Sequence, residues 1–152
     1  METVRETKAF LNSSELEYCY LQPFYYLHNS PIHKLADQYG LTGKGLNWTH
    51  STMNSSQVFN LLDELLFEVT GPTFANEEYA MWEMIYFLYK GYSKELYKDY
   101  RIMLNEMRRE HLRSKSAGTP RHYECIEIFR SKHHKEFKNL IANKEEMAWN
   151  IE

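Results

Sequence analysis

Apolar residues recur along this chain at spacings of three and four, in runs separated by serine, glycine and proline, so the pattern predicts helices over most of its length. Ser14 and Glu17 have the spacing of a capping box and predict a first helix over the aromatic segment 15–28, interrupted at Pro23. Ser30 and Pro31 read as N-cap and first helical residue, and Gly40 as the residue just past the end, of a short helix over 31–39. Thr42 is the candidate cap of a third short helix through 43–53, although Gly43 and Gly45 each cost such a helix about 1 kcal/mol. Ser55 or Ser56 opens a stronger one, in which Val58, Leu62, Leu65, Leu66 and Val69 form an apolar stripe before Gly71-Pro72 stops it.

Asn76 is the expected cap of a helix over 77–90 that is apolar almost all round, the pattern of a buried central helix, with Gly91 ending it. From a cap at Ser93, residues Leu96, Tyr100, Met103, Leu104, Met107 and His111 trace one face of a long helix to about Arg113, and its other face is strongly charged. The stretch 113–121 reads as a flexible linker, with Thr119-Pro120 restarting a helix on which Ile126, Phe129, His133, Phe137 and Leu140 or Ile141 share a face. Residues 123–129 alone would also suit a strand, but helical spacing continues beyond them. No internal repeat or sustained heptad is present. The expected architecture is an all-α, single-domain helical bundle of five to seven helices spanning 1–152.

Segment 35–46, LADQYGLTGKGL, resembles the helix-turn-helix of bacterial and phage regulators over about 20 of the 152 residues. Ala36 stands where two helices would cross, Gly40 where the turn needs positive φ, and Leu35, Leu41 and Leu46 where apolar anchors are wanted. The resemblance implies DNA-facing roles for Thr42, Lys44, Asn47, Thr49, His50 and Ser51, whose donors and acceptors suit base edges and phosphates. Against it, a helix with Gly40 as its C-cap and a glycine-bearing turn accounts for the same residues without DNA. A phosphate cradle fails on spacing, because Lys44 is followed by Gly45 and not by serine or threonine.

Composition narrows the classes. With 43% hydrophobic and 26% charged residues the chain is globular and not disordered. Twelve tyrosines, eight phenylalanines and three tryptophans make 15% of the chain, which suits either a core with its rim or a binding surface on which tyrosines are exposed. Net charge is −3, yet residues 101–138 hold 10 Lys/Arg against 5 Asp/Glu, leaving 8 against 16 elsewhere. That basic third suits an acidic partner, nucleic acid, or pairing with the acidic remainder. Two cysteines in no CxxC spacing suggest neither a disulfide framework nor zinc. The N-terminal residues lack an apolar core of signal-peptide length, and the longest apolar run, 79–89, contains Glu83 and is too short to span a bilayer, so a cytoplasmic protein with no membrane partner is expected.

Chemistry is sparse in the sequence. The seven histidines lack HxxxH or HExxH spacing; Glu106, Glu110 and His111, or His133, His134 and Glu136, would form a metal site only if two helices brought them together. Glu124 and Glu127 flank Cys125 and should raise its pKa, weakening it as a nucleophile. No catalytic residue, cofactor or metal is therefore assigned. The expectation is a non-catalytic macromolecule-binding protein, of the kind of a small inhibitor, immunity or phage-type accessory protein, acting through protein-protein contacts, with homodimerisation in view. Its candidate contacts are Tyr97, Tyr100, Arg108, Arg109, Arg113, Lys115 and Arg121, and the alternative is a helix-turn-helix DNA-binding regulator.

Overall fold

A computed structural model describes residues 2–75, 79–118, 123–136 and 138. Helix dominates, with α1 at Glu2–Ser13, a 3-10 helix at Pro31–Leu35, α2 at Ala36–Tyr39, α3 at Ser55–Glu68, α4 at Ala80–Tyr89, α5 at Lys94–Ala117 and α6 at Glu124–Lys132. Four short strands, β1 at Tyr18–Cys19, β2 at Thr42–Lys44, β3 at Asn47–Thr49 and β4 at Thr73–Phe74, depart from an all-α bundle. Contacts divide the chain into two compact units, Met1–Pro72 and Thr73–Glu152.

The first unit corrects two expectations. Ser14 ends a helix instead of starting one: α1 lies upstream of it, and the Ser13 and Ser14 hydroxyls donate to the Phe10 and Leu11 carbonyls, occupying acceptors that its last turn leaves open. Beyond it segment 15–28 is not helical. Pro23 lacks an N–H and pushes Gln22 towards extended backbone, and around Tyr26 exposure alternates, with Tyr25 and Leu27 outward and Tyr26 buried.

The second correction falls on the helix-turn-helix. The Ser30-Pro31 start and the Gly40 stop are where the punctuation predicts them: Gly40 adopts φ 59°, its N–H bonds to the Asp37 carbonyl, and Leu41 N–H reaches back to Ala36. Past Gly40 the chain forms no second helix but an antiparallel hairpin, β2 on β3, pairing Thr42 with Thr49, Gly43 with Trp48 and Lys44 with Asn47. Gly43 at φ 87° and Gly45 at φ 61° set this turn, and a Cβ on Gly43 would sit 2.1 Å from the Asn47 carbonyl oxygen. The two glycines that would weaken a helix are what the hairpin requires.

Alternation then places Trp48 inward, where it clusters with Tyr26 and Leu41 over Ile32, Ala36, Tyr39, Met53 and Val58. Its indole N–H donates to the Phe24 carbonyl at 2.7 Å, and Tyr26 and Gly45 exchange both backbone bonds. The α3 helix forms as its apolar stripe predicts, although its cap is Asn54, one residue ahead of Ser55: Asn54 and Gln57 satisfy each other's backbone N–H in a capping box. At its far end Asn12 of α1 donates to the Glu68 carbonyl and accepts from Thr70 N–H, while Gly71 lets the chain pass Leu11 closely enough that a Cβ would meet the Leu11 carbonyl at 2.6 Å.

In the second unit α5 is the axis, capped by Ser93, whose hydroxyl accepts from Leu96 N–H, and closed by Gly118 at φ 64°. It runs through Ala117, so residues 113–117 of the expected linker are helical, and Thr119-Pro120 lie outside the described residues, as do Asn76, Phe137, Leu140 and Ile141. The 24 residues of α5 span about 36 Å. Helix α6 forms over Glu124–Lys132, resolving the strand-or-helix ambiguity as helix, and α4 ends at Gly91, whose N–H bonds to Leu88 while Tyr92 N–H bonds to Phe87.

Replacing Asn54 by Ala removes half of the capping box. Urea denaturation should show about 1 kcal/mol lost from the unit that contains α3, and an unchanged midpoint would contradict this account of where that helix starts.

Candidate functional site

The most informative surface lies on α4, and its position follows from α5. Along α5 the deeply buried side chains are Leu96, Tyr97, Arg101 and Asn105. Three of these, at positions i, i+4 and i+8, are hydrogen-bonding residues that the periodicity left off the apolar face; that face places Leu96 correctly, whereas Tyr100, Met103, Leu104, Met107 and His111 are only half-buried. The polar row grips what packs against it. Tyr97 donates to the Ala80 carbonyl at 2.6 Å, Arg101 and Asn105 both donate to the Phe74 carbonyl, and the Arg101 guanidinium pairs with Glu83 at 3.1 Å.

These bonds decide how α4 is rotated. A guanidinium 1% exposed needs a carboxylate, and Glu83 is the acid that α4 supplies to it. With Glu83 drawn inward, the helical period carries Ala80, Met84 and Phe87 in with it. The other side, Met81, Trp82, Ile85, Tyr86, Leu88 and Tyr89, is left in solvent; Trp82 is 63% and Tyr89 80% exposed. The expected buried central helix is thus corrected: of its described residues only Ala80 is fully buried. The six exposed side chains form an unbroken apolar face containing no charged residue, and Lys90 at its end lies over the Tyr86 and Tyr89 rings at 5.4 and 5.6 Å.

A second apolar feature opens where α5 meets α6. Phe87, Tyr100, Met103, Met107, Ile126 and Phe129 line an open groove of about 610 Å³. Tyr100 bridges Phe87 and Phe129, with ring centroids 5.1 and 6.2 Å away. Beyond Phe129, the buried His133 lies between two carboxylates, its Nε2 2.7 Å from Asp99 and its Nδ1 3.4 Å from Glu136, and Glu136 also accepts from Ser93 N–H. Partial burial would by itself raise the Asp99 carboxyl, but hydrogen bonds from Lys132 and His133 outweigh it and hold Asp99 below the ordinary range. Glu136 is likewise opposed by desolvation and lowered overall by Ser93 and His133.

The sequence-derived contact residues do not assemble as one site. Tyr97 is buried and holds Ala80, so it is a structural residue and not an exposed anchor. Tyr100 is half-buried in the groove; Arg108, Arg113 and Lys115 are exposed and Arg109 pairs with Glu106. Helical spacing sets Arg108 and Lys115 on one side of α5 and Arg109 and Arg113 on another, and Arg121 lies outside the described residues. The residues of the DNA-reading alternative are brought together differently: Thr42, Lys44, Asn47 and Thr49 share the outer side of the hairpin, His50 stacks on Tyr39, and Ser51 N–H bonds to the Tyr39 carbonyl. The α4 surface was missed because an all-round apolar helix reads as buried; the one acid within it, Glu83, was the signal that one side faces a buried cation.

Cys19 is pushed up to about 11 by burial, and Cys125 is raised by burial first and then by Glu110 and Glu106 of α5, so its predicted direction holds while its acids are different ones. Among the described residues no cluster of three or more His, Cys, Asp or Glu side chains could hold a metal, and no helix is long and apolar enough to cross a membrane. No protein-family model matches the chain, and neither a curated protein nor a solved structure is significantly similar to it.

Replacing Glu83 by Ala leaves the Arg101 guanidinium buried without that carboxylate, and the second unit should lose about 3 kcal/mol in denaturant unfolding; a loss below about 1 kcal/mol would mean that the pair does not set α4. The Asp99 and Glu136 carboxyls are lowered in the folded protein, so their contribution is complete above the unfolded pKa and disappears as pH falls through the folded values. The stability difference between the native chain and Asp99→Asn should therefore be present near pH 6 and shrink as the pH falls below about 4, the ordinary value of an unfolded aspartate. A difference that grew on acidification would contradict the geometry.

Proposed function

We propose that this chain is a non-catalytic binding protein that works through protein-protein contacts, with the outward side of α4 as its contact surface. One observation carries the reading: a contiguous face of six large apolar residues, two of them tyrosines and one a tryptophan, stands in solvent on a helix anchored from behind. Exposing such a patch is unfavourable in water, and patches of this kind mark interaction surfaces, where Trp and Tyr most often supply the binding energy. The two thiols held in their protonated, weakly nucleophilic form fit a protein without covalent chemistry.

Roles such as inhibitor, immunity or accessory protein need only a rigid surface of this sort. The DNA-reading alternative lacks its reading element, since the residues it assigns to a recognition helix form a hairpin whose outer side carries Lys44 as its single cation.

A photoactivatable benzophenone side chain in place of Tyr89 tests the reading in cells expressing the chain. Protein adducts should form at Tyr89, fall at least tenfold when Trp82 is also changed to Glu, and be absent for the same probe at the buried Tyr97. Adducts to nucleic acid, or none at position 89, would overturn it.

A further inference from the structure

Resting on that contact surface, we infer that the partner seated on α4 is a second copy of this chain, joined to the first by antiparallel pairing of the two α4 helices about a twofold axis. The area agrees with this: at their observed exposures, Met81, Trp82, Ile85, Tyr86, Leu88 and Tyr89 offer on the order of 800 Å² of accessible surface, the share each partner contributes to a standard stable interface. A twofold contact must also be complementary to itself. Helical spacing sets Met81, Ile85 and Tyr89 on one ridge and Trp82 and Tyr86 on the next. With the axis between Ile85 and Tyr86, the first ridge of one copy meets the second ridge of the other, Ile85 against Tyr86 and Tyr89 against Trp82.

Charge agrees as well. Two copies each carrying −3 would repel through a charged surface, but this face holds none, because Glu83 is turned away and paired with Arg101. Lys90, the nearest cation, lies over its own tyrosine rings and stays at the edge, where its ammonium remains in water while its stem covers apolar surface. Antiparallel helices further align their dipoles head to tail, each positive end beside the other's negative end.

Sedimentation equilibrium of the full chain should give twice the 18.3 kDa chain mass at micromolar concentration. Ile85→Glu, at an exposed position on the axis, should keep the helical circular dichroism and raise the dimer dissociation constant by on the order of a hundredfold, as loss of a central contact does. With Cys19 and Cys125 changed to Ser, Ile85→Cys should form a reducible disulfide dimer on mild oxidation. The exposed Ile128→Cys, on α6, should not. A native chain that stays monomeric to about 100 µM, or a dimer unaffected by Ile85→Glu, overturns the second-copy assignment. Adducts at Tyr89 to other proteins would then leave the contact surface standing, and the absence of any adduct would remove both.

Discussion

Everything distinctive about the second unit depends on a cation placed where water cannot reach it. Arg101 on α5 is almost fully buried, and a guanidinium in that position is tolerable only with a carboxylate and carbonyl oxygens around it. Glu83 and the Phe74 carbonyl meet that need, and meeting it fixes the rotation of α4. The helix turns its one acid inward and, because α-helical spacing ties each residue to its neighbours, its most hydrophobic side outward. Burying that side instead would expose Glu83 and take its carboxylate from the buried Arg101, and separating a buried ion pair costs more than leaving a few rings in solvent.

The apolar face exposed this way stands on a rigid support. Tyr97 pins the first turn of α4 through the Ala80 carbonyl, Phe87 packs among Tyr92, Tyr97 and Tyr100, and Gly91 closes the helix. A rigid helix reduces the ordering that a binding event costs, and the proposed contact would draw on that. On the opposite flank of α5, His133 ties α6 to Asp99 and Glu136, so the groove beside Phe129 is framed by charge pairs and not by apolar packing alone.

Legibility in the sequence followed the physics of each signal. Local punctuation was readable: Ser30-Pro31, Gly40, Ser93, Gly91 and the stripe of α3 act within one or two turns, and their elements begin or end where those residues require. Non-local demands were not readable. Gly43 and Gly45 carry positive φ in either a loop or a hairpin, and only the pairing of Trp48 across Gly43, with Tyr26 arriving from a distant segment, selects the hairpin. Ser14 has the spacing of a helix start and caps the end of the helix before it. The apolar helix 77–90 is the sharpest case, since periodicity cannot say which side of an all-apolar helix is buried when a residue eighteen positions later holds the deciding charge.

Hydroxyl-radical footprinting of the native chain, diluted until it is monomeric and read by mass spectrometry, bears most directly on the orientation of α4. Met81, Trp82 and Tyr89 should oxidise at least tenfold faster than Tyr97 and Tyr26, which are aromatic but buried. Protection of Trp82 and Tyr89 to the level of Tyr97 in the dilute chain would mean that α4 faces inward and that Arg101 does not control it.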